Sequence, residues 1–266
     1  MRRVWLKYLE VSRTTVRSRW AYLWDQVLGG LFLVIIMFVY VQLWRTTYAS
    51  GSGGDFAGYT LPEIIWYLVF AEAIILSLPR IDAVLDQEVK DGDLALRLNK
   101  PYNYLLFHYF SFMGDCLLRV VTWLVIGGVT VYLLVGGFPF RWEGLPAMFS
   151  VFLITQTLNF CYGASIGMAS FWVEDVSGLY LLLDKVKWVL GGFMIPIELY
   201  PATIRRIAEA LPFRHMVGGP ARLFVKFSWA GAGELLLLQG LWLLAFVGVC
   251  LAIFRLGVRK VDVNGG

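Results

Sequence analysis

Six charged side chains fall in or beside apolar runs of this chain: Glu72, Asp115, Arg119, Asp184, Lys185 and Lys187. A charge at the bilayer centre costs about 2.5–3.5 kcal/mol on insertion scales, so each must face protein or water or lie near an interface. Asp115 and Arg119 are four residues apart, and Asp184 and Lys187 three, so each couple can pair on one helical face. Near the inner end of its run, Asp115–Arg119 reads as a structural pair rather than a proton relay. Lys185 and Lys187 can instead extend their ammonium groups to the interface if their run starts late. Proton or sodium coupling through Glu72 or Asp184 is the competing chemistry.

Catalytic arrangements are not visible. No Gly-rich loop ends in Lys-Ser or Lys-Thr, so the chain does not bind ATP in the P-loop manner. His108 and His215 are far apart with no partner motif, and each suits a satisfied histidine near an interface. Cys116, Cys161 and Cys250 lack metal-ligand spacing and fall in apolar runs, where a thiol is usually inert packing. The sequence predicts no catalytic centre, and no cofactor or metal bound by this chain.

The elements that carry these residues are set by composition. Of 266 residues, 59% are hydrophobic and only 16% charged. Soluble domains average about 45–50% apolar and 25% charged residues, so the chain reads as an all-α polytopic membrane protein. Six apolar runs approach the ~17–25 residues a spanning helix needs. They are Leu23–Trp44, Leu61–Leu78, Cys116–Val135, Ala147–Phe171, Leu179–Ile197 and Leu235–Phe254. The first is too long for a removable signal peptide and has no small-residue cleavage site after it.

Basic residues precede the first run (Arg2, Arg3, Lys7, Arg13, Arg17, Arg19), follow the second (Arg80, Lys90, Arg97, Lys100) and follow the sixth (Arg255, Arg259, Lys260). By the positive-inside rule both termini and the 79–104 loop are cytoplasmic. Arg205, Arg206, Arg214, Arg222 and Lys226 then fall outside, against the trend. In residues 1–22, Trp5, Leu6, Leu9, Val16 and Trp20 interleave with the cations, as in a helix lying on anionic lipid. No nucleic-acid partner is expected of that arm. Residues 23–266 form one transmembrane domain. Trp24, Trp44, Trp66, Trp142, Trp172 and Trp188 suit interfacial belts, and Ser50–Gly54 reads as a flexible outer loop.

Three segments stand apart from anchoring. In the inner loop, Ile81, Val84, Leu85 and Val89 recur at helical spacing and Gly92 fits a helix stop. A short amphipathic helix there suits docking into a groove on a cytoplasmic partner, and equally a solvated connector with a lipid-facing stripe. The fourth run places Gln156, Asn159, Gly163, Gly167 and Ser170 on one face. That face suits close helix packing, a subunit seam or a substrate path. Just past that same run, in the tight inner turn, Glu174-Asp175 fits a partner contact or a helix cap.

The third segment is the fifth run, broken by Gly191-Gly192, Pro196 and Pro201 and running on to Leu211-Pro212-Phe213 and Pro220. Irregular backbone near membrane depth needs protein or a water-filled cavity to satisfy it.

Val89-x-x-Gly92-Asp93-Leu94 with Leu98-x-Lys100-Pro101, and Gly191-Gly192-x-x-Ile195-Pro196 with Pro201, Leu211-Pro212-Phe213 and Pro220, carry a resemblance. Order, spacing and number of runs resemble permease subunits of type-2 ATP-binding-cassette exporters, in the branch of six-span subunits often encoded in pairs beside an ATPase. The trio Asp184, Lys185 and Lys187 departs most from that pattern.

The resemblance implies two permease subunits, identical or paralogous, in the cell membrane. Each would dock one copy of a separate ATPase that holds ATP and Mg. Residues 1–22 would be the elbow helix. Glu88, Val89, Lys90, Asp91, Gly92, Asp93 and Leu94 would form the coupling helix. Residues 196–230 would be an outer re-entrant hairpin, with Gly191, Gly192, Pro196, Pro201, Pro212, Phe213 and Pro220 shaping the gate. Sparse central charge suits an amphipathic or lipid-like cargo. The rival classes are an ion-coupled secondary transporter and a non-transporting subunit that recruits a cytoplasmic partner.

Overall fold

The computed structural model describes residues 2–21, 23–50, 56–139 and 141–264. The expected loop at 51–54 lies outside the described residues, as do the side chains of Arg2, Arg3 and Trp5. Twelve α-helices run in chain order among the described residues. They are α1 (Arg2–Trp20), α2 (Leu23–Ser50), α3 (Leu61–Leu76), α4 (Ile81–Lys90), α5 (Asp93–Leu98), α6 (Tyr104–Val135), α7 (Leu145–Gly167), α8 (Ser177–Leu190), α9 (Ala202–Ala210), α10 (Phe213–Met216), α11 (Gly218–Val225) and α12 (Trp229–Asn264).

Five helical segments are long and apolar enough to cross a membrane: Gln26–Ser50, Leu61–Lys90, Tyr104–Val135, Trp142–Phe171 and Trp229–Lys260. The expected span over Leu179–Ile197 is not among them. Its helix, α8, has 14 residues, a rise of about 21 Å against a hydrocarbon core of about 30 Å. The run is apolar for another reason. Past Gly192, which holds φ +74°, the chain leaves the helix and buries Phe193 and Ile197 in the core.

The bundle is built around α3. Every residue from Ile64 to Ile75 is buried, the signature of a helix apolar on all sides and enclosed by protein. Its first turn is held by the Thr60 amide, which donates to Glu63 Oε2 at 2.8 Å. Gly127 of α6 lets Val69 come close, since a Cβ there would meet the valine at 3.2 Å. Apolar side chains on the outer faces of α2, α6 and α12 (Leu31, Phe32, Val125, Leu241, Leu244) are exposed, as lipid-facing residues would be.

The two ends differ. At one, Trp66 Nε1 donates to the Gly137 carbonyl at 2.5 Å and Phe227 fills the space over Gly144. The exit of α6 and the entries of α3, α7 and α12 therefore meet there. At the other end lie α4, α5 and α1. The Ser12 hydroxyl donates to the Phe110 carbonyl at 2.5 Å, and a Cβ on Gly114 would lie 2.6 Å from the Ser12 oxygen. Two backbones thus touch where α1 crosses α6. Of the six expected belt tryptophans, Trp24, Trp142 and Trp172 are exposed, whereas Trp44 and Trp66 are core residues.

Candidate functional site

The elbow between α4 and α5 turns on Gly92, which takes φ +76° with open space around it. That left-handed conformation, rather than crowding, is what calls for glycine. Asp91, Gly92 and Asp93 form an exposed tip, and Lys90 beside them is exposed too. Leu94 folds under the elbow and is 2% exposed. Val89 is half-buried.

Glu88 points inward instead. Its carboxylate accepts from Tyr104 Oη at 2.7 Å and lies 3.1 Å from both His108 Nε2 and Arg97 Nη2. The expected coupling segment therefore divides into an outward tip and an inward anchor.

The open side of α4 is a groove lined by Arg80, Ala83, Val84, Gln87, Asp91 and Asp93, with Glu88 at its floor. Val84, one of the apolar residues at helical spacing, is 45% exposed. Ile81 and Leu85, four apart, go under together with Asp82, Asp86 and Glu88. Val84 and Gln87 lay outside the expected coupling segment because the buried face of α4 takes in the acidic Asp82, Asp86 and Glu88, which the apolar spacing does not mark.

Gln156, Asn159, Gly163 and Gly167 are brought together on α7, where the chain's own elements cover them. A Cβ on Gly163 would lie 2.7 Å from Ile81 Cγ2, and one on Gly167 2.6 Å from the Asp82 carbonyl oxygen. The glycine stripe is the seat of α4. Further along, Gln156 Nε2 donates to Ser77 Oγ at 3.3 Å and Asn159 Nδ2 to the Met216 carbonyl at 3.3 Å. Gln239 of α12 donates to Thr155 Oγ1 and to the His215 carbonyl, both at 2.9 Å. A buried polar layer thus joins α7 and α12 to α10.

Around the Gly191–Pro220 break, glycines let backbones meet. The Gly218 amide donates to the Gly191 carbonyl at 2.9 Å, and Tyr67 of α3 donates its hydroxyl to the Gly192 carbonyl. A Cβ on Gly191 would lie 3.0 Å from the Phe213 oxygen. The prolines mark starts: Pro196 leads a 3-10 turn, Pro201 and Pro212 precede α9 and α10, and Pro220 sits in the first turn of α11. Each occupies a place where a missing N–H costs little. Phe213 meets the Tyr162 ring edge-on at 5.9 Å. Glu198 and Arg222 pair at 3.0 Å across the segment.

The charges expected in or beside the runs are mostly paired. Arg119 chelates Asp115 at 2.8 and 3.1 Å, and Arg19 of α1 joins them at 3.2 Å. Asp184 and Lys187 are buried and 2.9 Å apart. Lys185 lies over the Trp188 ring at 3.4 Å. Asp175, two residues ahead of the first helical residue of α8, accepts from the Ser177 amide at 2.9 Å. The exception is Glu72, 5% exposed. All three cysteines are buried and free, and no three His, Cys, Asp or Glu side chains among the described residues are placed to hold a metal.

The bundle carries an exposed elbow at one end and a folded-back segment at the other. No curated protein matches this chain. Residues 34–265 match the family model described as ABC-2 family transporter protein. The chain belongs to that family, as a multi-pass membrane permease component of a transporter.

Proposed function

We propose that this chain is the permease of an ATP-driven exporter, and that the α4–α5 elbow receives the stroke of a separate cytoplasmic ATPase. The observation that carries this reading is the mounting of the elbow. Its exposed tip, Asp91-Gly92-Asp93, stands on a helix whose Ile81 and Asp82 sit against Gly163 and Gly167 without intervening side-chain bulk. Force applied to the tip enters α7 directly. A solvated connector needs no such seat.

The same end carries Arg13, Arg17 and Arg19 of α1, with Arg80, Lys90 and Arg97, and Arg255, Arg259 and Lys260 of α12. This clustering supports a cytoplasmic placement for that end and both termini. On this reading α1 is the elbow helix on the inner leaflet. The 191–220 segment is an outer lid, and α8 with its folded continuation replaces a sixth full span. A second permease subunit completes the pathway, ATP and Mg stay on the ATPase, and the cargo is amphipathic or lipid-like. Ion coupling through Asp184 is disfavoured by its buried pairing with Lys187.

The test is co-purification from the native membrane. The reading expects a P-loop ATPase bound at a one-to-one ratio, hydrolysing ATP in the complex, and lost when Asp91 is reversed to Lys. Transport driven by an ion gradient through the chain alone would overturn it.

A further inference from the structure

At the end of the bundle opposite the elbow, α10, α11 and the start of α12 enclose a cavity of about 280 Å³. A water occupies roughly 30 Å³ of liquid, so the space admits a small polar group. Its lining includes Arg214, His215, Arg222, Lys226, Ser228 and Glu234. Three cations thus face one carboxylate. This is the cluster that runs against the charge bias of the rest of the chain.

The cations are placed by the fold. Arg222 is held at 3.0 Å by Glu198. Lys226 lies 3.8 Å from Glu63, over the Tyr59 ring at 4.1 Å, and donates to the Gly58 carbonyl. These carboxylates grip two of the three cations and do not line the cavity. Arg214 makes no ion pair among the described residues. His215 is 3% exposed, and its Nδ1 is buried without a hydrogen-bond partner. A buried polar nitrogen left unpaired is costly unless something meets it. The N-terminus of the 36-residue helix α12 adjoins the same space and adds partial positive charge.

We propose that this cavity is a binding site for a phosphate group, carried by a phospholipid headgroup or free in solution. A planar guanidinium suits bidentate contact with phosphate oxygens, and the arginine without an ion pair among the described residues is the one available for it. His215 can supply a further hydrogen bond from inside. Leu223, Leu235 and Leu238 give the cavity an apolar wall, which a glycerol backbone or acyl chain can lie against. The site depends on this chain's own residues and not on any ATPase.

The test titrates the purified full-length protein in non-ionic detergent. One arm uses inorganic phosphate at constant ionic strength. The other uses a short-chain phosphatidylglycerol against a glucoside of matched tail length. Saturable binding in either arm is expected, weakened about tenfold by Arg214→Gln, the loss of one strong charge-assisted contact. Glu234→Gln removes the opposing carboxylate and is expected to tighten binding, which a merely structural role would not do. Saturation by phosphate assigns the site to the free anion, and saturation by the lipid alone assigns it to the headgroup. Binding in neither arm, equal binding in a folded Arg214→Gln, or no tightening in Glu234→Gln would overturn the proposal.

Discussion

Arg97 reaches back from α5 to within 3.1 Å of Glu88 on α4, so the elbow between the two helices is closed by its own ion pair. Glu88 is also the shared acceptor for Tyr104 and His108. The first residue of the expected docking segment is therefore what fixes that segment to α6.

Two substitutions separate docking from folding. Glu88→Lys leaves three donors without their acceptor and is expected to destabilise the protein by roughly 2–3 kcal/mol. Asp91→Lys, at the exposed tip, is expected to leave the melting temperature unchanged and to abolish coupled ATP hydrolysis. A thermal melt beside an ATPase assay reads both, and an unstable Asp91→Lys would contradict the assignment.

The seat of α4 has no room to spare. Gly167→Ala puts a Cβ 2.6 Å from a backbone oxygen of Asp82, and overpacking of this kind costs about 1–3 kcal/mol. Gly178, where an added Cβ meets nothing within 4 Å, is the control, with an expected change inside about 0.5 kcal/mol. Equal melting of the two variants would sink the idea that the glycine stripe seats α4.

Tyr67 ties the central helix to the break after α8. Removing its hydroxyl in Tyr67→Phe strips the Gly192 carbonyl of that donor, at about 1–3 kcal/mol. Hydrogen exchange is expected to quicken across residues 191–220 and to stay unchanged in α1. Uniform quickening would mean that the bond supports the whole bundle instead.

Acid should loosen the same end of the molecule. Burial, and then the Arg214 charge, push the His215 imidazole down from an ordinary 6.5 to about 4. Arg222 and Lys226, which share its cavity, act in the same sense, and Glu234 opposes them. Because the folded value is depressed, the unfolded chain binds the extra proton first. Stability is full above about 6.5 and is lost as pH falls from there through about 4. Melting followed across that window is expected to show a shallower decline in His215→Gln, and an unchanged slope would remove His215 as the cause.

Much of this was legible in the residues, because apolar runs report burial whatever covers them. The helical class, five of the six expected spans, the Gly92 turn and the Asp115–Arg119 and Asp184–Lys187 pairs follow from composition and spacing alone. Spacing could not tell lipid from protein. The run Leu179–Ile197 is continuous in sequence, yet its helix ends at Leu190, and Phe193 and Ile197 serve the core of a folded-back segment. Nor could it say what a small-residue stripe would meet. Gly163 and Gly167 required a close neighbour, and that neighbour proved to be α4, more than 70 residues earlier in the chain. Glu88 was expected to take part in docking, and its inward anchoring was not visible because its partners Tyr104 and His108 arrive from another helix.

No residue of α3 is exposed, and its 16 residues rise only about 24 Å, less than the hydrocarbon thickness of about 30 Å. Its shortness causes no mismatch, because it is solvated by protein and never meets lipid. Bilayer thickness acts on the sheath of helices around it that expose apolar side chains, α2, α6, α7, α8 and α12. A thicker or thinner membrane would tilt that sheath while α3 stays indifferent, so the strain appears as slip along the α3 surface. The central helix is the molecule's fixed axle, and the lipid turns only what surrounds it.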